Sequence, residues 1–265
     1  MKNKKGWFIT RSALLLFILL NLTYVSFSQK NDSIKVVSHF GGAITLTNKG
    51  ISTIPNFTLG KPAAIFAMSV GRKISFEPEF RFALEGKPWM FIFWWRYELV
   101  KTDKFLTRIG ANYSLNFRTL PVTTDGISSE RIVAQRSLTA DLSPTYFPTK
   151  NMSIGIYYMY VHGLEEDAVK NIHYIALRTN FLNIKLSNQF YVRFSPQVYY
   201  LRVDEKDGFY ISSSLTLVKR NFPVSLSTMI TAPIQTNVTV SKSALWNVSL
   251  IYTFNKEYVE KQQSF

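Results

Sequence analysis

The run Phe105-Leu106-Thr107-Arg108-Ile109-Gly110-Ala111-Asn112-Tyr113-Ser114-Leu115-Asn116-Phe117-Arg118 decides how the rest of the chain is read. Successive side chains of a strand point to opposite faces. Phe105, Thr107, Ile109, Ala111, Tyr113, Leu115 and Phe117 therefore share one face, and Arg108, Gly110, Asn112, Ser114, Asn116 and Arg118 the other. The run is longer than the roughly 9–11 residues a tilted strand needs to cross a bilayer. An oily face backed by a charged one over that length is the pattern of a barrel strand with lipid outside and polar groups inside. A half-buried strand of a soluble protein alternates too, but it rarely offers so many large aromatics or recurs so often.

Upstream, Ile74, Phe76, Phe80, Phe82 and Leu84 oppose Ser75, Glu77, Glu79, Arg81 and Glu85. Between Trp89 and Val100, the set Trp89, Phe91, Phe93, Trp95, Tyr97 and Leu99 opposes Met90, Ile92, Trp94, Arg96 and Glu98. Downstream, Ile132 to Tyr146 sets Ala134, Leu138, Ala140 and Leu142 against Gln135, Ser137, Thr139, Asp141 and Ser143. Phe190 to Tyr200 sets Val192, Phe194 and Val198 against Gln189, Tyr191, Arg193, Ser195, Gln197 and Tyr199. Less regular candidates are Ile34 to Thr47, Pro62 to Val70, Met152 to Tyr160, Ile172 to Leu182, Phe209 to Leu217 and Val224 to Ile230. The last run, Trp246 to Phe254, places Trp246, Val248, Leu250, Tyr252 and Phe254 on one face. This gives an all-β chain, an antiparallel transmembrane barrel of about twelve strands, the even number that bacterial barrels use. Pro78, Pro144 and Pro196 interrupt strands and call for bulges.

The connections alternate in kind. Asn48 to Gly60, Glu85 to Pro88, Thr119 to Glu130, His162 to Ala168, Val203 to Gly208 and Thr231 to Ser243 are read as outer loops. Gly71 to Lys73, Lys101 to Lys104, Pro148 to Asn151, Asn183 to Asn188 and Lys219 to Phe222 are read as inner turns, shorter on the whole. Charge, not used to assign the sides, sorts with them: Asp125, Glu130, Glu165, Glu166, Asp167, Asp204, Glu205 and Asp207 outside, and Arg72, Lys73, Lys101, Lys104, Lys150, Lys219 and Arg220 inside.

At the amino terminus Lys2, Lys4, Lys5 and Arg11 precede the apolar run from Ala13 to Leu20, and Ser26-Phe27-Ser28 offers small residues for cleavage after Ser28. Residues 1–28 read as a secretory signal peptide, 29–254 as the barrel and 255–265 as a periplasmic tail. The apolar core, interrupted by Asn21 and Thr23, is short for a spanning helix. The chain has no Cys, so it has no disulfide framework and no thiolate metal site. Aromatic residues make up 15% and charged residues only 18%, and the formal charge of +14 falls by those 4 to +10 without the signal. Lys and Arg are spread along strands and turns rather than clustered, which fits anionic lipid or an anion-leaning interior and not nucleic acid.

The candidate site is the inward parity: Glu77, Glu79, Arg81, Arg96, Glu98, Arg108, Asn112, Asn116, Arg118, Gln135, Asp141, Gln189, Arg193 and Gln197. Such a set either lines a narrow watery passage, where charge sets selectivity, or pairs across the lumen and plugs it. No Ser or Thr follows His39, His162 or His173 at a distance of two, the spacing used by outer-membrane lipid hydrolases, and these His have no metal-ligand spacing. The acidic runs at 165–167 and 204–207 do not match a Ca²⁺ loop. No catalytic residue, cofactor or metal is expected.

With its signal segment, its alternating strands and the closing face of Trp246, Val248, Leu250, Tyr252 and Phe254, the chain resembles the outer-membrane β-barrel proteins of Gram-negative bacteria. The resemblance implies residence in the outer membrane among lipid and lipopolysaccharide. It also implies that the closing strand is the signal read by the barrel-assembly machinery, although such signals usually end a chain and here Asn255 to Phe265 follow. The expected function is a passive, anion-leaning, porin-like channel for small solutes. The alternatives are a plugged barrel acting through its outer loops and a secreted soluble β-protein.

Overall fold

The computed structural model describes residues 37–124, 127–238 and 244–259. The expected signal segment, Asp125, part of the Thr231 to Ser243 connection and the final six residues lie outside them. Alternating apolar and polar residues produce strands β1 (Val37–Thr47), β2 (Ala63–Gly71), β3 (Ile74–Ala83), β4 (Pro88–Lys101), β5 (Phe105–Thr124) and β6 (Ile127–Thr149). They continue with β7 (Met152–Gly163), β8 (Asn171–Lys185), β9 (Phe190–Val203), β10 (Lys206–Lys219), β11 (Val224–Thr236) and β12 (Leu245–Val259). Each strand pairs antiparallel with its sequence neighbours, and β12 returns to β1, from Thr47↔Ser249 to Val37↔Val259. The sheet is a closed barrel of twelve strands, as the alternation predicts. Closure matters because a barrel has no unpaired edge.

The outer face is apolar. Aliphatic side chains including Ile44, Leu142, Leu177, Leu215 and Leu250 are exposed on it, with Phe105 and Phe190 toward one end and Phe209 and Trp246 toward the other. Aromatic girdles flanking an aliphatic belt suit the two interfaces of a bilayer. In water so large an exposed apolar surface would drive association. Gly42 sits directly across from Phe254, and a Cβ there would lie 2.9 Å from the ring and 2.4 Å from the Ala67 carbonyl oxygen. The glycine thus makes room for the aromatic at the seam.

Several elements differ from their expected extent. Within the expected loop Thr119 to Glu130, Thr119 to Thr124 and Ile127 to Glu130 are strand. Beyond Asn116↔Met90, β5 pairs only with β6, so the two strands project past the wall as a ribbon. Lys87 Nζ reaches Glu130 at 2.6 Å, and Arg136 Nε reaches Glu165 at 2.5 Å, bracing that ribbon to neighbouring connections. The connection expected from Val203 to Gly208 shrinks to a tight turn in which Asp204 adopts φ 52. β11 runs on to Thr236, and β12 runs five residues past Phe254 because Asn255 to Val259 find partners on β1.

The prolines do not sit at bulges. Pro78 pairs in regular register with Phe93, Pro144 with Thr107 and Pro196 with Ser213. On the opposite side the pairing skips each proline without shifting, as from Ala67↔Glu79 to Val70↔Phe76. A strand N–H serves only one neighbour, so each missing donor weakens one ladder and leaves the other intact. A register shift lies instead between Arg81 and Phe82, where Arg81 pairs with Met90 and Phe82 with Pro88. The extra residue, Trp89, assigned by alternation to the lipid face, turns inward and is only 3% exposed.

Candidate functional site: the lumen and its inward-folded segment

The β1–β2 connection, expected as an outer loop, folds into the barrel. It carries Ile51, Ile54, Pro55, Phe57 and Leu59, too apolar to stay in water, and a short 3₁₀ turn at Pro55–Phe57. Ile54, 3% exposed, packs among inward residues of β7 to β10, including Tyr157, Tyr174, Tyr199 and Leu201, together with Val238. Phe57 touches that cluster and also the group of Ala63, Trp89 and Met90 on the other side, so the segment bridges the lumen. Its backbone carbonyls are claimed by the wall: Trp89 Nε1 donates to Phe57 O at 2.9 Å and the Tyr199 hydroxyl to Thr53 O at 2.9 Å. Gly50 closes the base, its N–H donating to Lys61 O at 2.7 Å while its carbonyl accepts from Leu59 and Gly60.

Below this segment the interior is polar. Arg96 of β4 donates to Glu77 of β3 at 3.0 Å and to Asp141 of β6 at 2.5 Å. The second contact crosses β5 over Gly110, which pairs with both Arg96 and Asp141 in register. A Cβ on Gly110 would lie 2.6 Å from Asp141 Oδ1 and 3.3 Å from Arg96 Cγ. The Tyr157 hydroxyl is a second donor to Asp141, reaching Oδ2 at 2.8 Å. The guanidinium of Arg96 lies 4.0 Å from the Trp94 ring, and that of Arg178 lies 3.7 Å from the Tyr157 ring. Such contacts let an arginine leave bulk water while keeping a polarised neighbour.

The other inward residues fall into several settings. Glu79 pairs with Arg81, and Glu98 with Arg108 at 3.1 Å and Lys101 at 3.0 Å. Asn112 is buried beside Arg81 and Asn116 in a cavity of ≈ 170 Å³ under the inward segment. Gln135 is buried and donates to Asp167 at 3.2 Å. Gln197 accepts from Arg178 at 3.2 Å. Arg118 and Arg193 are exposed, and Gln189 lies in the β8–β9 turn rather than in the wall, its carbonyl accepting from Arg220 N.

Two larger spaces follow toward the end formed by the short turns. One, of ≈ 380 Å³, is lined by Glu77, Arg96, Arg108, Arg178 and Asn180 among others. The other, of ≈ 710 Å³, opens among Arg72, Lys73, Lys101, Arg108, Glu98 and Glu257, four cations against two carboxylates, with His39 beside them. Alternation does not bring His39 together with Ser69, because they lie on adjacent strands; the structure does, Nε2 to Oγ at 2.8 Å.

No family model matches the chain, and no curated protein matches it either. Among solved structures, it is similar to the KdgM porin in complex with disordered oligogalacturonate, at 9% identity and a TM-score of 0.48 over 82% of this chain and 99% of that one. The NanC porin gives 11% identity and a TM-score of 0.46 over 84% and 100%. OmpT, an outer membrane protein of Vibrio cholerae, gives 9% and 0.41 over 82% and 97%. The assignment rests on the chain's own strand pairing, closure and apolar exterior: it is a twelve-stranded β-barrel of the outer-membrane type.

Proposed function

We propose that the protein is a porin-like outer-membrane barrel passing small solutes through a narrow, anion-leaning lumen that the β1–β2 segment restricts. The observation that carries this reading is the interior between Asn112 and Glu98, which holds polar side chains and open cavities of ≈ 170, ≈ 380 and ≈ 710 Å³ where a purely structural barrel would be packed. The excess of cations around the cavity of ≈ 710 Å³ supports the anion preference, since rings of charge bias permeation. In this reading lipid surrounds the belt, lipopolysaccharide faces the ribbon and loops, and the assembly machinery reads β12.

Planar-bilayer conductance tests the proposal. The intact barrel is expected to show small, anion-preferring steps, and a variant lacking residues 52–58 markedly larger ones. Absence of conductance from both proteins, each shown folded by heat-modifiable gel mobility, would contradict it. That result would favour the plugged, surface-interacting barrel, a reading supported by the dry packing of Ile54 against Tyr174 and Leu201.

A further inference from the structure

Four arginines line the cavities of ≈ 170 and ≈ 380 Å³: Arg81, Arg96, Arg108 and Arg178. Three are matched by carboxylates of the wall, Arg81 by Glu79, Arg96 by Glu77 and Asp141, and Arg108 by Glu98. Arg178 is not. Among the described residues it has no carboxylate within ion-pair distance; it has the Oε1 of Gln197 at 3.2 Å and the face of Tyr157 at 3.7 Å. Arg178 and Tyr157 are also the residues that the two cavities share.

Arg178 is half-buried, and for a guanidinium partly withdrawn from water without a counter-charge an aromatic face offsets only part of the cost. An oxyanion held in its fork would supply the missing charge with two parallel hydrogen bonds. Thr145 and Asn180 line the same cavity and offer neutral donors for the remaining oxygens, Asn180 through the amide hydrogen that it does not give to Ser153. We propose that Arg178 is the recognition point of an anion site inside the barrel, taking a small carboxylate or phosphate. Its use as a station for a passing solute rests on the channel reading above; the site itself does not.

The test is isothermal titration calorimetry on the folded full-length barrel in detergent, with sodium acetate and sodium phosphate as separate probes. Saturable binding of one or both is expected. Arg178→Gln should weaken it by at least about tenfold, and Arg178→Lys, which keeps the charge and loses the fork, by less. Arg131→Gln, on an exposed position of the projecting ribbon outside both cavities, should leave it unchanged. The probe that binds more tightly identifies the headgroup chemistry. Wild type binding neither anion, or Arg178→Gln binding as wild type does while keeping heat-modifiable mobility, would overturn the site. Conductance measured in parallel separates the two readings: Arg178-dependent binding without conductance keeps the site and removes transport, and conductance without such binding does the reverse.

Discussion

Gly110 lets a salt bridge cross a strand. Because it has no side chain, Arg96 on β4 reaches Asp141 on β6, and the Asp141 side chain is 0% exposed. Removing one partner of a buried pair typically costs about 3–5 kcal/mol, because the other charge remains buried. Asp141→Ala is therefore expected to lower unfolding stability in lipid toward the lower end of that range, because Glu77 at 3.0 Å keeps Arg96 paired. Gly110→Ala should also destabilise, because its Cβ would sit 2.6 Å from Asp141 Oδ1. Urea titration of liposome-embedded protein checks both, and a loss below about 1 kcal/mol for Asp141→Ala would mean that the pair is not buried as described. In the β7–β8 connection, burial pushes the Glu165 carboxyl up, but hydrogen bonds from the Arg136 side chain and backbone outweigh it and leave the group below its ordinary value of 4.5. Its contribution is present above that value and is lost as pH falls through the lowered one. Arg136 is exposed and Glu165 half-buried, so solvent screens the pair and the effect is small and local. Protease cleavage of this connection should quicken on acidification, and less so in Arg136→Gln. At this scale the parity of Arg96, Asn112, Gln135 and Asp141 is readable from alternation alone. The inward turn of Trp89 is not, because a one-residue bulge leaves no mark in an unbroken apolar run.

Among the elements, the β1–β2 connection departs furthest from its expectation. Its length and place suggest an outer loop, yet Ile51, Ile54, Phe57 and Leu59 signal burial, a sign legible in the sequence once loop hydropathy is weighed against loop position. Ile54→Ala removes an anchor whose burial is worth roughly 1.5–3 kcal/mol. It should loosen the segment and raise single-channel conductance without changing global stability comparably; an unchanged conductance would show that Ile54 does not hold the constriction. β12 carries a second expectation that the structure sharpens. Truncation after Val259 removes no residue of the described strand and should leave assembly intact. Truncation after Phe254 deletes the partners of Val37 to Gly41 and should impair closure. Leu250→Arg on the lipid face should cost about 2–4 kcal/mol if the residue lies near the bilayer midplane. Gel mobility and urea titration separate these outcomes, and normal folding of the Phe254 truncation would show that the seam beyond it is dispensable.

At the scale of the whole molecule, strand number, order and, Trp89 apart, lipid-facing parity are legible in the sequence, because a barrel wall repeats one simple period many times and local noise averages out. What the period cannot carry is the third dimension of the lumen. Whether Arg96 meets Asp141, whether Ser69 meets His39 and whether a loop folds in all depend on contacts between strands and across the interior. A channel requires the wall to face hydrocarbon, and Ile74 and Trp246 are 61% and 56% exposed on it. The most direct test is fractionation of the expressed protein, followed by electrophoresis with and without boiling. The protein should be recovered in the outer-membrane fraction, extracted only by detergent, and its unheated band should migrate differently from the boiled one. Recovery in an aqueous fraction, with a mobility that heat does not change, would contradict a membrane barrel and return the chain to a secreted soluble β-protein.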